Sequence, residues 1–159
     1  MPITYTPIAA TTLSSAQATV TFSSISGTYT DLVLVISGSA SASIDLRYTL
    51  NSDSSSNYSR TYIVGNGSSA ISNGDSNLTY LPISALETTQ SMSLVNFMNY
   101  SNTTTFKTTL SRTGAASAFA NEIVGLWRST AAINNISLTT SSGTISSGSS
   151  FTLYGIKAA

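Results

Sequence analysis

The sequence predicts an all-β protein, a two-sheet β-sandwich of jelly-roll type with about 8 to 10 antiparallel strands. Three observations lead there. The chain is rich in Ser and Thr but only 8% charged, and 41% of its residues are hydrophobic. Short segments alternate between apolar and polar residues, and turn residues separate them at regular intervals. Hydroxyl side chains disfavour helices because they hydrogen-bond to nearby backbone, and β-branched Thr favours strands.

The alternation predicts about ten strands in chain order. Leu32 to Ile36 is a continuous apolar run, which suits a strand buried on both faces. Gly125 interrupts the alternation and indicates either a bulge or a close approach of another chain segment. Residues 83–91 are expected to form a short helical turn. The predicted strands are residues 19–22, 32–36, 45–50, 60–64, 78–83, 92–99, 105–110, 119–127, 136–138 and 151–153.

Clusters of Gly, Asn and Ser mark the predicted turns, for example at residues 51–57, 65–67, 73–75 and 141–143. No linker and no internal repeat is visible. The sequence therefore predicts one sandwich domain over residues 18–159. It is preceded by residues 1–17, which we expect to be an N-terminal arm or an edge strand because their patterning is weak.

Charge and composition argue against several classes of partner. Six basic and six acidic residues give a net charge of +0, and they are scattered singly, so we expect no nucleic-acid partner and no anionic membrane surface. No apolar stretch approaches the roughly 18 residues of a membrane span. The first residues lack the basic and apolar regions of a secretory signal, so we expect synthesis in a host cytoplasm without a signal peptide.

The sequence offers little catalytic chemistry, and we expect no enzyme, no cofactor and no metal site. Without Cys or His, neither a Ser-His-Asp site nor the usual zinc sites can form. A glycosidase with two carboxylates stays formally open, with Glu122 near Trp127 as its best acid. Strand alternation, however, puts these two side chains on opposite faces unless Gly125 forms a bulge. Residues 51–57 hold one carboxylate, Asp53, which favours a surface turn over a calcium loop.

Eight tyrosines are a further candidate set, because tyrosine is enriched at interfaces and combines apolar area with a polar tip. The alternative for each tyrosine is packing at the edge of the core. The candidate interface residues are Tyr5, Pro7, Ile8, Tyr29, Tyr58 and Tyr62.

Several motifs resemble a family of small tailed-bacteriophage virion surface proteins. They include Tyr5-Thr6-Pro7-Ile8-Ala9 at the start, Arg47-Tyr48-Thr49-Leu50-Asn51 in the middle and Leu153-Tyr154-Gly155-Ile156 near the end. The resemblance covers nearly the whole chain. It implies a jelly-roll on the virion exterior, a homotrimer, and motif residues that define the fold rather than a reaction.

The expected function is a capsid decoration (cement) protein that binds the major capsid protein on the outer face of a phage head. Many weak contacts from a trimer would stabilise the shell through multivalency. We expect the shell contacts in residues 2–17 and in loops at one end of the sandwich. The alternative is a tail-fibre or receptor-binding tip that recognises host-surface glycan, and the third hypothesis is a carbohydrate-active enzyme.

Overall fold

The chain forms two antiparallel β-sheets, of eight and four strands, in a computed structural model that describes residues 5–116 and 118–157. Those residues include no helix, and thus none that is long and apolar enough to cross a membrane. The twelve strands are β1 (Tyr5–Thr12), β2 (Thr19–Phe22), β3 (Asp31–Gly38), β4 (Ile44–Leu50), β5 (Tyr58–Gly65), β6 (Ala70–Leu78), β7 (Leu81–Leu86), β8 (Ser91–Phe97), β9 (Lys107–Ala115), β10 (Phe119–Trp127), β11 (Ile136–Thr140) and β12 (Ser150–Ile156).

Eight of these strands are arranged as in a jelly-roll. Strand β1 pairs with β12, β2 with β11, β3 with β8 and β4 with β7. These four nested antiparallel pairs are the strand pairing of a jelly-roll. The larger sheet has the order β1-β12-β3-β8-β9-β10-β5-β6, and the smaller has the order β2-β11-β4-β7. The two hairpins β5–β6 and β9–β10 are insertions that widen the larger sheet. The predicted all-β, jelly-roll-like sandwich is confirmed.

The strand count exceeds the prediction because β6 was not recognised as a strand and β1 was given only as an arm or edge strand. Strand β1 falls in the segment predicted as an arm or edge strand, of which residues 1–4 lie outside the described residues. Strand β6 is exposed along most of its length on both faces. An exposed strand needs no alternation of apolar and polar residues, so its sequence carries no period-two pattern. The predicted turn at residues 73–75 was wrong, since it lies inside β6.

The helical turn predicted over residues 83–91 was also wrong. Leu81–Leu86 forms strand β7, which pairs with β4, and a bend connects it to β8. Leu81 and Ile83 are both buried, at a spacing of two residues. Burial of alternate side chains against the other sheet decides the structure here and outweighs the helix-forming residues of the segment.

The core lies between the inner faces of the two sheets. Leu34 and Ile36 of β3 face it together with Phe97 of β8, and all three are 0% exposed. Tyr48 of β4 packs edge-on against Phe97, with ring centroids 5.5 Å apart. Its hydroxyl donates a hydrogen bond of 2.8 Å to Thr109 Oγ1, so the core tyrosine carries a satisfied polar group.

Gly125 marks a close approach of the two sheets and not a bulge. Strand β10 pairs with β9 and β5 in unbroken register from end to end. A Cβ atom at Gly125 would lie 2.6 Å from Thr109 Oγ1 and 2.8 Å from Leu81 Cδ1. Because the register is unbroken, Glu122 faces outwards while Trp127 is buried, as the alternation predicted.

The loop at residues 51–57 is fixed to the core through Asp53. The Trp127 indole Nε1–H donates a hydrogen bond of 2.7 Å to Asp53 Oδ2, and Asn57 Nδ2 donates one of 3.0 Å to the same oxygen. The Ser55 amide donates to Asp53 Oδ1 at 2.9 Å. Burial acts to raise the pKa of Asp53, but these hydrogen bonds outweigh it and lower the pKa to about 2. The loop is therefore a structural clamp built on one carboxylate.

Candidate functional site

Four of the six candidate interface residues lie at the β1 end of the larger sheet. Tyr5 is 56% exposed, and its ring meets Tyr154 edge-on with centroids 6.4 Å apart. Pro7 and Ile8 occur at a bulge in the β1–β12 pairing, and Ile8 packs partly against the core. These two residues and Tyr29 line a groove of about 500 Å³ between β1 and β2.

The other two candidates lie elsewhere, so the six residues do not form one surface. Tyr58 is 0% exposed and stacks on Trp127, with ring centroids 6.3 Å apart. Its hydroxyl donates a hydrogen bond of 2.9 Å to the Asp53 backbone oxygen. Tyr58 thus belongs to the core and cannot touch a partner in this conformation. Tyr62 lies on β5 at a polar cleft described below.

The outer face of the larger sheet carries large apolar side chains on its central strands, with polar residues such as Asn96, Thr108 and Thr61 between them. We call this surface the apolar sheet face and define it by outward-facing residues of β3, β8, β9, β10 and β5. Met92 is 64% exposed, Ile63 60% and Val124 49%, so the described residues leave about half or more of each of these residues uncovered. Its residues are Val35, Met92, Leu94, Leu110, Val124, Leu126 and Ile63.

A shallow groove crosses the apolar sheet face near the ends of its strands. Gly114, Ala120, Gly65 and Ala70 follow one another across neighbouring strands, and their small size leaves a trough. The groove has a volume of about 590 Å³, and Met92 also lines it. Small residues beside large exposed ones give a surface into which a partner's side chains can pack.

The outer faces of β8, β9, β10 and β5 carry two charged residues, Arg112 and Glu122. They are cross-strand partners with Arg112 Nε 3.6 Å from Glu122 Oε2. The pair neutralises itself, so the outer faces of these four strands carry no net charge to repel a second protein. Glu122 is therefore part of a surface ion pair.

A second surface forms where the larger sheet extends beyond the edge strand β7 of the smaller one. There the inner faces of β10 and β5 meet the outer side of β4 and β7 in a cleft of about 270 Å³. We call it the tyrosine–arginine cleft and define it by Arg47, Arg60, Tyr62, Tyr80 and Asn121, all of which line it.

Two arginine–tyrosine stacks shape this cleft. The Arg47 guanidinium lies over the Tyr80 ring, 4.4 Å from its centroid, and the Arg60 guanidinium lies 4.5 Å from the centroid of Tyr62. Such cation–π contacts hold long side chains in one orientation. Arg60 Nε also donates to Asp75 Oδ2 at 2.7 Å, which fixes the second guanidinium further.

Asn121 gives the cleft an unpaired polar atom. Its Nδ2 donates a hydrogen bond of 2.8 Å to Ser84 Oγ, but its Oδ1 is buried and has no partner. Buried polar atoms are nearly always hydrogen-bonded, and an exception calls for an explanation such as a bound group.

The described residues contain no group of three or more His, Cys, Asp or Glu side chains that could hold a metal ion. Sequence reasoning named Tyr62 as a candidate interface residue and Tyr80 only within the set of eight tyrosines, and it missed Arg47, Arg60 and Asn121. The residues of the cleft come from β4, β5, β10 and the bend between β6 and β7, and only the pairing of β7 with β4 and of β10 with β5 brings these distant segments together. No local motif could have indicated this cleft.

The strand pairing places the chain among the jelly-roll β-sandwiches. No protein-family model matches it, and no curated protein matches it. Among solved structures, it is similar to the crystal structure of the galectin LEC-6 from Caenorhabditis elegans. That likeness has a TM-score of 0.40 and 8% sequence identity, and covers 94% of this chain and 96% of that chain. A likeness at this level says nothing about a ligand or partner of this chain.

Proposed function

We propose that the chain is a non-enzymatic virion structural protein, a decoration protein that binds the outer face of a phage head as a homotrimer. It acts by burying surface against copies of itself and against the major capsid protein. The observation that carries this proposal is the apolar sheet face, with three large apolar side chains about half exposed or more and an internally paired Arg112–Glu122. Apolar patches of this kind mark protein interaction sites.

The size of the sheet supports an interface. Strands about 4.8 Å apart and about eight residues long, at roughly 3.3 Å per residue, give roughly 600 Å² for the five strands of the apolar sheet face and roughly 1,000 Å² for all eight strands. A standard protein–protein interface buries roughly 800 Å² on each partner. One face of the larger sheet is therefore large enough for a stable contact.

The edge strands also support assembly with other chains. Strand β1 carries Pro7 and a bulge, β7 carries Pro82, and β2 is only four residues long. These features block edge-to-edge pairing. Strand β6 is nine residues long and contains no Pro or Lys, and the register shift in its pairing with β5 comes only after Asp75, so Ala70–Asp75 is a regular edge. Among the described edges, β6 is the least protected against pairing with another chain.

The apolar sheet face can be tested by light scattering. We expect the wild-type protein to be a trimer and Val124→Lys to be a monomer, because a lysine there must lose water on burial. Thr19→Lys is the matched control, since it adds the same charge to an exposed position on the smaller sheet. A monomeric wild type at high concentration, or a trimeric Val124→Lys variant, would contradict the role of this face.

The location on the particle decides between the proposal and its alternative, a tail-fibre or receptor-binding tip. Antibody labelling or cryo-electron microscopy of virions should place the protein on the head, and particles lacking it should release their DNA more readily on heating. Labelling at the tail, with loss of adsorption and unchanged head stability, would favour the receptor-binding alternative.

A further inference from the structure

The tyrosine–arginine cleft has the size of a site for one small ligand unit. Its volume of about 270 Å³ is close to the lower end of the roughly 300–1,000 Å³ found for small-molecule sites. It is lined by apolar groups, Val64, Pro82 and Ala85, as well as by polar ones. A mixture of a few fixed polar groups with apolar walls is typical of sites that bind small molecules.

The amide of Asn121 would be satisfied by a hydroxyl group of a ligand, provided that the side chain turns towards the cleft, because its Oδ1 is buried. As placed, Nδ2 donates to Ser84 and Oδ1 lacks a donor. If the amide were turned over, Oδ1 would accept from the Ser84 hydroxyl and Nδ2 would lack an acceptor instead. A hydroxyl can both donate and accept, so it satisfies either orientation.

The charges of the cleft indicate that the ligand is neutral. Arg60 is neutralised by Asp75 at 2.7 Å, and the carboxylate of Asp45 lines the same cleft as Arg47. The two guanidiniums supply N–H donors, while Asp45 and Asn121 supply acceptors. Interspersed donors and acceptors without net charge suit a polyhydroxyl compound better than an anion or a cation.

The tyrosines complete this chemistry. Tyr62 and Tyr80 are each partly buried and each held against an arginine. Fixed aromatic rings with polar groups around them offer an apolar surface to the C–H side of a sugar ring. We therefore propose that the tyrosine–arginine cleft binds one neutral sugar residue of a glycan. This inference does not rest on the decoration proposal, because such a site would serve a protein on the head or on the tail.

The test is titration of the 15N-labelled full chain with separate neutral sugars: glucose, galactose, mannose, N-acetylglucosamine and rhamnose. Glucuronate and inorganic sulfate serve as anionic probes. For a single sugar unit we expect a dissociation constant on the order of 1–10 mM. The amide signals of residues 45–47, 60–62 and 121 should shift with at least one neutral sugar, and less with the anions.

Two variants make the assignment specific to the cleft. Asn121→Leu removes the unpaired amide. Arg47→Met removes one hydrogen-bond donor from a partly exposed position, so this variant remains informative if Asn121→Leu fails to fold. Each should weaken binding about tenfold or more. Glu122→Gln is the matched control, since it neighbours Asn121 on the same strand but faces the other side of the sheet. The proposal is overturned if no neutral sugar binds at about 100 mM, if sulfate or glucuronate binds more tightly, or if the folded cleft variants bind like wild type.

Discussion

Replacing Asp53 by Ala tests whether one carboxylate holds residues 51–57 to the core. The Trp127 indole N–H donates to Asp53 Oδ2 at 2.7 Å, and Trp127 is only 2% exposed. Its N–H would have no partner in the variant, since the alanine methyl group cannot accept a hydrogen bond. The bonds from Ser55 and Asn57 would be lost at the same time.

The expected loss follows from these bonds. An unpaired buried donor costs about 1–3 kcal/mol, and each of the two more exposed bonds adds about 0.5 kcal/mol. We therefore expect Asp53→Ala to lower the free energy of unfolding by about 3 kcal/mol. For a chain of this length, about 1 kcal/mol shifts the melting temperature by roughly 2–4 °C, which gives a decrease of about 6–12 °C.

The same carboxylate predicts a pH dependence. The pKa of Asp53 falls from 3.8 to about 2 on folding because the hydrogen bonds outweigh the effect of burial. A lowered pKa means that its contribution to stability is full above pH 3.8 and is lost as the pH falls through 2. After allowance for solvent screening, the contribution is about 1–2 kcal/mol.

Urea denaturation followed by the fluorescence of Trp127, the single tryptophan of the chain, measures both effects. Asp53→Asn should lose about 1–2 kcal/mol and should flatten the decline in stability between pH 4 and pH 2. Asp45→Ala is the control, because this exposed carboxylate takes no part in the clamp. An Asp53→Ala variant within about 0.5 kcal/mol of wild type would refute the clamp.

Two further predictions concern the core. Gly125→Ala should cost about 2 kcal/mol, because its Cβ would lie 2.8 Å from Leu81 Cδ1. Gly65→Ala has open space around the added methyl group and should stay within about 0.5 kcal/mol of wild type by the same denaturation measurement. Burial raises the pKa of Tyr58 from 10.0 to about 12, so its contribution to stability is full below pH 10.0 and declines towards pH 12. Tyr58→Phe should be less stable by about 1 kcal/mol at pH 7, since it loses the bond to Asp53, and should show a shallower alkaline decline. If the stability of Tyr58→Phe declined between pH 10 and pH 12 as steeply as that of wild type, the assignment of this decline to Tyr58 would be contradicted.

The fold could be predicted from sequence where one side of a strand is buried and the other is exposed. Strands β4 and β8 alternate between buried and less buried residues along their whole length, and both were recognised. The prediction failed for β6, which is exposed on both faces, and it placed β7 over residues 78–83 when the strand is Leu81–Leu86. A strand with no buried face has no alternation of apolar and polar residues for a sequence pattern to detect.

The candidate sites were harder to predict, because a side chain can bind a partner only if the fold leaves it exposed. Tyr58 and Tyr62 are two strand tyrosines four residues apart, and alternation puts them on the same face of β5. Tyr58 lies over the core beside Trp127, while Tyr62 lies beyond the edge of the smaller sheet. The number of strands in each sheet determines that difference, and composition contains no information about it.

Both proposed surfaces follow from the same departure from an eight-strand jelly-roll. The β9–β10 and β5–β6 hairpins are added to one sheet only, so the larger sheet extends beyond the smaller one. Their outer faces extend the apolar sheet face with Leu110, Val124 and Ile63. Their inner faces reach past β7 and leave room for Arg60 and Asn121 to meet Arg47. Assembly and sugar binding would therefore use opposite sides of the same inserted strands, so a trimer that buries the outer side leaves the cleft open to ligand.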